Sequence, residues 1–155
     1  MDREGDARLR LTAKVWPIDH PHPAFPHEKY NWAWIVNVKL IYRHSPPTKW
    51  LEAFVDSGSP WCLFHAGLCK PLGIALESGV RGDLGGIIRV GKVPVYFHKV
   101  KVLLGLEVFE TVAGFSSELT VGGILGRRGF FESFNVTFDS SADPPTIELI
   151  RTYRV

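Results

Sequence analysis

Residues 51–59 read LEAFVDSGS, so that a mainly apolar run leads directly into an acid, a hydroxyl residue and a glycine. The run up to Val55 favours an extended backbone, and Gly58 permits a sharp turn without a side chain in the way. Short turns of this composition occur in many unrelated proteins, so the tripeptide at 56–58 alone indicates only a β-turn. Its chemical meaning depends on the segments that accompany it elsewhere in the chain.

Two further segments accompany it. Residues 123–139 read GILGRRGFFESFNVTFD, where two apolar residues, a glycine and an arginine precede a short aromatic stretch. Residues 82–86 read GDLGG and interrupt a series of alternating segments. In order and spacing, the three segments resemble the sequences of retropepsin-like aspartic proteases, and residues 124–139 are most similar to bacterial members of that family. The resemblance covers about residues 50–139 and leaves the N-terminal region outside it.

The resemblance implies a role for each residue at the end of the first segment. Asp56 is the catalytic acid, and the Ser57 hydroxyl ties the two catalytic loops together through main-chain hydrogen bonds. Gly58 leaves room for the substrate beside the acid. The Ser59 hydroxyl is expected to donate a hydrogen bond to the outer oxygen of the Asp56 carboxylate, which stabilises the charged carboxylate. We therefore expect optimal activity at acidic pH, and removal of the Ser59 hydroxyl should move that optimum upward.

The segment at 123–139 is expected to support the acid from behind. The resemblance implies that Ile124 and Leu125 form a strand crossing behind the Asp56 loop. This strand can approach the loop closely because Gly126 has no side chain. Arg127 is expected to tether the active-site region through a carboxylate or through carbonyl groups.

The glycine-rich segment is expected to form a flap over the substrate. Leu84, Gly85, Gly86 and Ile87 offer backbone mobility and amides that can clamp an extended peptide by strand addition. An ordinary glycine loop is the alternative interpretation of the same residues. The implied substrate is a peptide or protein segment in an extended conformation.

A dimer follows from the number of catalytic motifs. Hydrolysis without a covalent intermediate needs a water molecule held between two carboxylates, which share one proton because close like charges do not both ionise. The ionised carboxylate takes a proton from the water, while the protonated one hydrogen-bonds to the scissile carbonyl and donates toward the leaving amine. Asp139-Ser140-Ser141 lacks the glycine of a second motif and is interpreted as a turn. The resemblance therefore implies a homodimer in which each subunit supplies one Asp56.

The distribution of apolar residues predicts a mainly β chain. With 155 residues, of which 45% are hydrophobic and 15 are glycine, the chain suits one domain of short strands and tight turns. Alternating or apolar runs predict strands at 30–40, 49–55, 93–104, 107–115, 135–139 and 147–151. Together with the resemblance, this pattern predicts a closed-barrel-like retropepsin (acid protease) fold with one short C-terminal helix at 128–134.

The N-terminal region has a different composition. Prolines at positions 17, 21, 23 and 26 disfavour regular structure, so residues 1–28 are predicted to be loosely ordered and residues 29–155 to form the protease domain. His20, His22 and His27 also lie here, but no cysteine or close carboxylate pair completes a metal site. Neither a metal nor another cofactor is predicted.

Several classes of partner are not indicated by the composition. The formal net charge is +2, from 18 basic and 16 acidic residues that are scattered along the chain, which does not suggest nucleic-acid binding. No run of 18 apolar residues occurs and the charged start lacks the core of a signal peptide, so no membrane association and a cytoplasmic location are predicted. Cys62 and Cys69 do not form a CxxC pair and are expected to be free thiols.

The sequence supports three other functions less well than it supports a protease. Residues 86–92 match the start of a phosphate-binding loop, but Val93 replaces the required hydroxyl residue and the intervening residues are typical of a strand. No G-x-S-x-G motif of a serine hydrolase occurs. The stronger alternative is a non-catalytic module that keeps the retropepsin fold for dimerisation or peptide binding. The intact motif at Asp56-Ser57-Gly58 favours activity.

Overall fold

The computed structural model describes residues 7–84 and 93–152. Its strands are β1 (Arg8–Thr12), β2 (Lys14–Pro17), β3 (Tyr30–Ala33), β4 (Ile35–Ile41), β5 (Leu51–Val55), β6 (Leu63–His65), β7 (Val80–Leu84), β8 (Val93–Leu104), β9 (Glu107–Ser116), β10 (Gly123–Leu125), β11 (Phe134–Asp139) and β12 (Thr146–Arg151). Its helical segments are one α-helical turn, α1 (Cys69–Leu72), two 3₁₀ turns (Ala66–Leu68 and Leu76–Ser78) and an irregular segment at Arg127–Phe131. No helix within the described ranges has the length and hydropathy needed to cross a membrane.

A closed barrel forms the centre of the molecule. Within the described ranges, six strands follow one another in the order β4-β5-β10-β6-β9-β8, and β8 pairs back with β4 to close the barrel. β7 extends the sheet beyond β8 and forms an antiparallel hairpin with it. The pairs β5–β10 and β6–β9 are parallel, while the other neighbouring pairs are antiparallel. The predicted mainly β, barrel-like fold is confirmed.

The barrel interior is filled by the alternating residues that the sequence indicates. On β4, Val36, Val38 and Leu40 are at most 2% exposed, while the residues between them face outward. The predicted strand at 30–40 is nevertheless two strands, because regular pairing is interrupted at Trp34. β3 pairs with β2, whereas β4 pairs with β5 and β8.

The N-terminal region contains strands that the sequence did not predict. β1 pairs along its whole length with β12, which in turn pairs with β11 to make a second, three-stranded sheet. β2 ends at Pro17, and residues 18–29 connect it to β3. The expectation of no regular structure was therefore wrong for residues 8–17, whose backbone groups are paired with distant parts of the chain. The domain boundary after residue 28 remains a prediction.

The predicted C-terminal helix is shorter and less regular than expected. The helical segment occupies Arg127–Phe131, and Phe134 already belongs to β11. Gly129 has a left-handed φ of 92°, which interrupts the helix. A Cβ atom at this position would also lie 2.5 Å from the Thr111 side chain, so the chain approaches β9 closely here.

Candidate active site

Asp56 stands where β5 leaves the barrel. β5 runs parallel to β10, with Val55 beside Leu125, and the Asp56 N–H donates to the Leu125 carbonyl at 3.0 Å. Leu125 is fully buried, and Ile124 pairs with both β5 and β6. The acid is thus fixed at the end of the central strands, while its side chain is exposed to solvent.

The loop after Asp56 orients its carboxylate. The Gly58 N–H donates to Asp56 Oδ1 at 2.8 Å, and the Ser59 N–H donates to the Asp56 carbonyl at 3.2 Å. A Cβ atom at position 58 would lie 3.0 Å from the same Oδ1. Glycine therefore leaves the carboxylate both a backbone donor and free space on its open side. Ser57 is also exposed.

Arg127 and its backbone hold this loop from the other side. Arg127 Nη1 donates to the carbonyls of Ser57 at 3.1 Å and Gly58 at 3.3 Å. The Arg127 N–H donates to the Ser59 carbonyl at 2.8 Å. Of the two expected kinds of partner for Arg127, a carboxylate or carbonyl groups, the structure has the carbonyl groups, and a cationic donor makes these hydrogen bonds stronger than neutral ones.

Gly126 lies directly behind the same loop. A Cβ atom there would be 2.1 Å from the Trp61 carbonyl oxygen and 2.7 Å from that of Ser59. Both contacts are with backbone atoms, which cannot rotate aside. The close crossing that was expected of this glycine is therefore present in the structure.

The expected role of Ser59 is corrected by its hydrogen bond. Its hydroxyl is 9% exposed and donates to the Trp61 carbonyl at 2.7 Å. A serine hydroxyl has a single proton, so this bond leaves none for the Asp56 carboxylate. The prediction that Ser59 donates to the catalytic acid is therefore wrong for this arrangement, and Ser59 instead fixes the shape of the loop.

The predicted flap begins at Leu84, the last described residue of β7. Leu84 pairs with Val93 at the last described step of the β7–β8 hairpin, while Gly85, Gly86 and Ile87 lie outside the described residues. The stretch 86–92 that matches a phosphate loop lies there as well. The described parts of β7 and β8 therefore end on either side of the glycine-rich segment, and the flap stays a prediction.

Two supporting residues were missed in the sequence. The Trp61 carbonyl accepts the Ser59 hydroxyl, and the Trp61 ring contacts Phe97 of β8 edge to face at 5.3 Å. The Pro60 carbonyl accepts the Arg128 N–H at 3.0 Å. Backbone carbonyls have no residue-type signature, so only the presence of a tryptophan close to the motif could have drawn attention to this segment.

Asp139 is part of a turn, as predicted. Its carboxylate accepts hydrogen bonds from Ser141 Oγ at 2.6 Å, the Ser141 N–H at 3.0 Å and the Ala142 N–H at 3.2 Å. These bonds, led by that of the Ser141 hydroxyl, lower the pKa of Asp139. Asp139 thus serves its own turn at the end of β11. Among the described residues, no group of three or more His, Cys, Asp or Glu side chains could hold a metal ion.

Comparisons with known proteins identify the fold. No family model and no curated protein matches the sequence. Among solved structures, the chain is similar to a retropepsin-like aspartic protease from Rickettsia conorii, with a TM-score of 0.58, 13% identity and coverage of 97% of both chains. It also matches EIAV protease complexed with an inhibitor, with a TM-score of 0.46, 17% identity and coverage of 61% of this chain and 82% of that one. The first match, over nearly the whole chain, establishes a retropepsin-like fold.

Proposed function

We propose that this chain is an aspartic endopeptidase that works as a homodimer, in which each subunit contributes one Asp56. The observation that carries the proposal is the exposed Asp56 carboxylate in a loop fixed from behind by Gly126 and Arg127. An exposed acid has no structural need for so rigid a support. A catalytic acid needs it, because small displacements of a reacting group lower the rate strongly.

The proposed mechanism uses two Asp56 carboxylates across a two-fold axis. Held close together, they share one proton, because two like charges at short range do not both ionise. The ionised carboxylate takes a proton from a bound water while the water oxygen attacks the peptide carbonyl carbon. The protonated carboxylate hydrogen-bonds to the carbonyl oxygen and later gives its proton to the leaving amine. The Gly58 N–H, already donating to Oδ1, keeps each carboxylate oriented during these transfers.

The proposed substrate is a peptide segment in an extended conformation. The β7–β8 hairpin projects from the barrel and reaches Leu84 and Val93 before the glycine-rich segment that includes Gly85, Gly86 and Ile87. We propose that this segment closes over the substrate and pairs with its backbone, as strand-addition sites do. The edge-to-face contact between Trp61 and Phe97 supports this role, because it couples the hairpin to the loop of the acid.

Activity is expected to depend on self-association. Below the dissociation constant of the dimer, each tenfold dilution should lower the specific activity by about tenfold, because half a dyad holds no catalytic water. The measurement is initial rate against protein concentration on one peptide, with sedimentation at the same concentrations. Circular dichroism across the dilution series controls for unfolding. Constant specific activity in a sedimenting monomer would refute the shared site. If the folded dimer hydrolyses no denatured protein between acidic and neutral pH, the non-catalytic module is favoured instead.

Ser59→Ala is expected to weaken the loop without moving the pH dependence of activity. The variant loses the hydrogen bond from Ser59 to the Trp61 carbonyl, which should cost about 1 kcal/mol of unfolding free energy. Because the hydroxyl does not donate to Asp56, the profile of kcat/KM against pH should keep its midpoints. Denaturant unfolding and pH–rate profiles of both proteins test this. A shift of the profile to higher pH in Ser59→Ala would instead support the original expectation, in which the Ser59 hydroxyl donates to the Asp56 carboxylate.

We also propose a reducing, cytoplasmic location. Cys62 and Cys69 are free thiols that are at most 4% exposed. Burial raises the pKa of both thiols, that of Cys69 to about 11. Such thiols remain protonated and unreactive near neutral pH, which suits a protein that has no disulfide to form.

A further inference from the structure

Two cavities outside the Asp56 loop join into one groove along the outer side of β8. The first has a volume of about 600 Å³ and is lined near the loop by Trp61, Val112 and Arg128. The second has a volume of about 650 Å³ and continues to the turn after β4. Four residues line both cavities, namely Val80, Phe97, Lys99 and Glu110, so the two cavities adjoin each other along β8. We call this surface the β8 groove.

The end of the β8 groove near the Asp56 loop is apolar. Val80 is 75% exposed and Val112 is 54% exposed, and both flank the partly exposed rings of Trp61 and Phe97. The charged residues that line this end carry no net charge, because Arg128 and Lys99 are matched by Glu110 and Glu132. An apolar side chain of a ligand would cover this exposed surface at little electrostatic cost.

The far end of the groove is cationic. Arg43, Lys99 and Lys101 line it together with His44, while Glu110 is its one carboxylate among the described lining residues. Glu110 already pairs with Lys99 at 2.8 Å, which leaves the charges of Arg43 and Lys101 in excess. This imbalance favours a ligand that brings carboxylates.

Arg43 is held in place by the turn that carries it. The Tyr42 N–H donates to Ser45 Oγ at 3.1 Å, and the Ser45 N–H donates to the Tyr42 carbonyl at 2.9 Å. Arg43 adopts a left-handed φ of 51° in this turn, and its guanidinium lies 4.9 Å from the centre of the Tyr42 ring. A held cation loses less side-chain entropy on binding an anion than a free one.

The spacing along β8 defines the form of the ligand. Phe97, Lys99 and Lys101 lie on one outward face of the strand, because His98 and Val100 between them point inward and are buried. Phe97 and Lys101 are therefore separated by about 13 Å along the strand. An extended peptide has the same two-residue period, so it can match this face with an apolar residue and a carboxylate four positions apart.

We propose that the β8 groove binds an acidic, extended peptide segment with one large apolar residue. The segment belongs to the substrate and lies away from the bond that is cleaved. This role as a substrate-selecting site rests on the proposed peptidase function, whereas peptide binding itself does not. A bound segment contacts both the base of the β7–β8 hairpin, at Val80 and Phe97, and the residue that braces the Asp56 loop, Trp61.

The test is peptide binding to the full chain carrying Asp56→Asn, so that the probe stays intact. The probe is a labelled peptide of about nine residues with a central tryptophan, glutamates at every second position and serines between them. Its pattern is symmetric, so either chain direction presents the same groups. Control probes replace all glutamates by lysine, or the tryptophan by serine. We expect the acidic probe to bind at least about tenfold more tightly than either control.

A matched pair of variants locates the binding site. Arg43→Gln with Lys101→Gln should weaken binding of the acidic probe by about tenfold, whereas Lys49→Gln with Lys70→Gln, which removes the same charge elsewhere, should not. In the active enzyme, the groove variant should raise KM for substrates with such a segment and leave substrates without it unchanged.

Three results would overturn the proposal: equal binding of the acidic and basic probes, no binding at about 1 mM, or full binding by the groove variant. Probe binding that disappears as the protein self-associates would mean that a second copy covers the groove, which also overturns it. Peptide hydrolysis by the wild type is measured separately from probe binding. Failure of the peptidase proposal can therefore be distinguished from failure of the groove proposal.

Discussion

Asp56→Asn is expected to lower peptide hydrolysis by at least about a thousandfold, because the side-chain amide cannot accept the proton of the attacking water. The change is nearly isosteric, and Oδ1 can still accept the Gly58 N–H, so the loop and the barrel should remain intact. The measurement is kcat/KM on a peptide substrate, with thermal unfolding and sedimentation of the same preparation.

Asp139→Asn is the matched control for this substitution. The Asp139 carboxylate is occupied by its own turn, where the remaining carbonyl oxygen of asparagine can still accept the bonds from Ser141 and Ala142. Its activity should therefore stay close to that of the wild type. Substantial hydrolysis by a pure Asp56→Asn preparation, or an equal loss in both variants, would contradict the assignment of Asp56.

Gly126→Val is expected to destabilise the fold by roughly 3 kcal/mol or more, since its side chain meets fixed backbone atoms. The first added carbon would lie 2.1 Å from the Trp61 carbonyl oxygen and 2.7 Å from that of Ser59. Relief of this clash requires the strand end or the Asp56 loop to move, so any folded fraction should also lose activity. Denaturant unfolding and peptide hydrolysis measure the two effects.

Gly67→Ala controls for the general cost of adding a methyl group. Its nearest neighbour would be the His65 ring nitrogen at 3.0 Å, which accepts the Gly67 N–H, and a shift of this ring by a few tenths of an ångström relieves the contact. The expected cost is below about 1 kcal/mol. Wild-type stability and activity in Gly126→Val would show that the strand does not constrain the loop as its geometry indicates.

The parts of the fold that were predicted are those in which local pattern and tertiary burial agree. The apolar patterns of β8 and β9 predicted strands with nearly correct bounds, since buried and more exposed residues alternate along much of both strands. The resemblance to retropepsin-like proteases also implied contacts of Gly126 and Arg127 with the Asp56 loop, and the structure has contacts of this kind.

The parts that were missed depend on partners distant in sequence. β1 has no strong pattern of its own and becomes a strand because β12 offers it a complete set of backbone partners. From the sequence, the Ser59 hydroxyl could donate either to the Asp56 carboxylate or to a backbone carbonyl. It donates to the Trp61 carbonyl because the chain path brings that group within reach. The irregular helix at Arg127–Phe131 likewise reflects the close approach of Gly129 to Thr111.

The proposal that two subunits each contribute one Asp56 to a common active site is tested most directly by mixing wild type with Asp56→Asn at constant total concentration. Subunits are first exchanged to equilibrium, and hydrolysis is then measured across the mixing series. If each active site needs an acid from both subunits, activity follows the square of the wild-type fraction, and an equal mixture retains about a quarter of the full activity. A linear dependence, with about half the activity retained in the equal mixture, would show that each subunit works alone and would contradict the account.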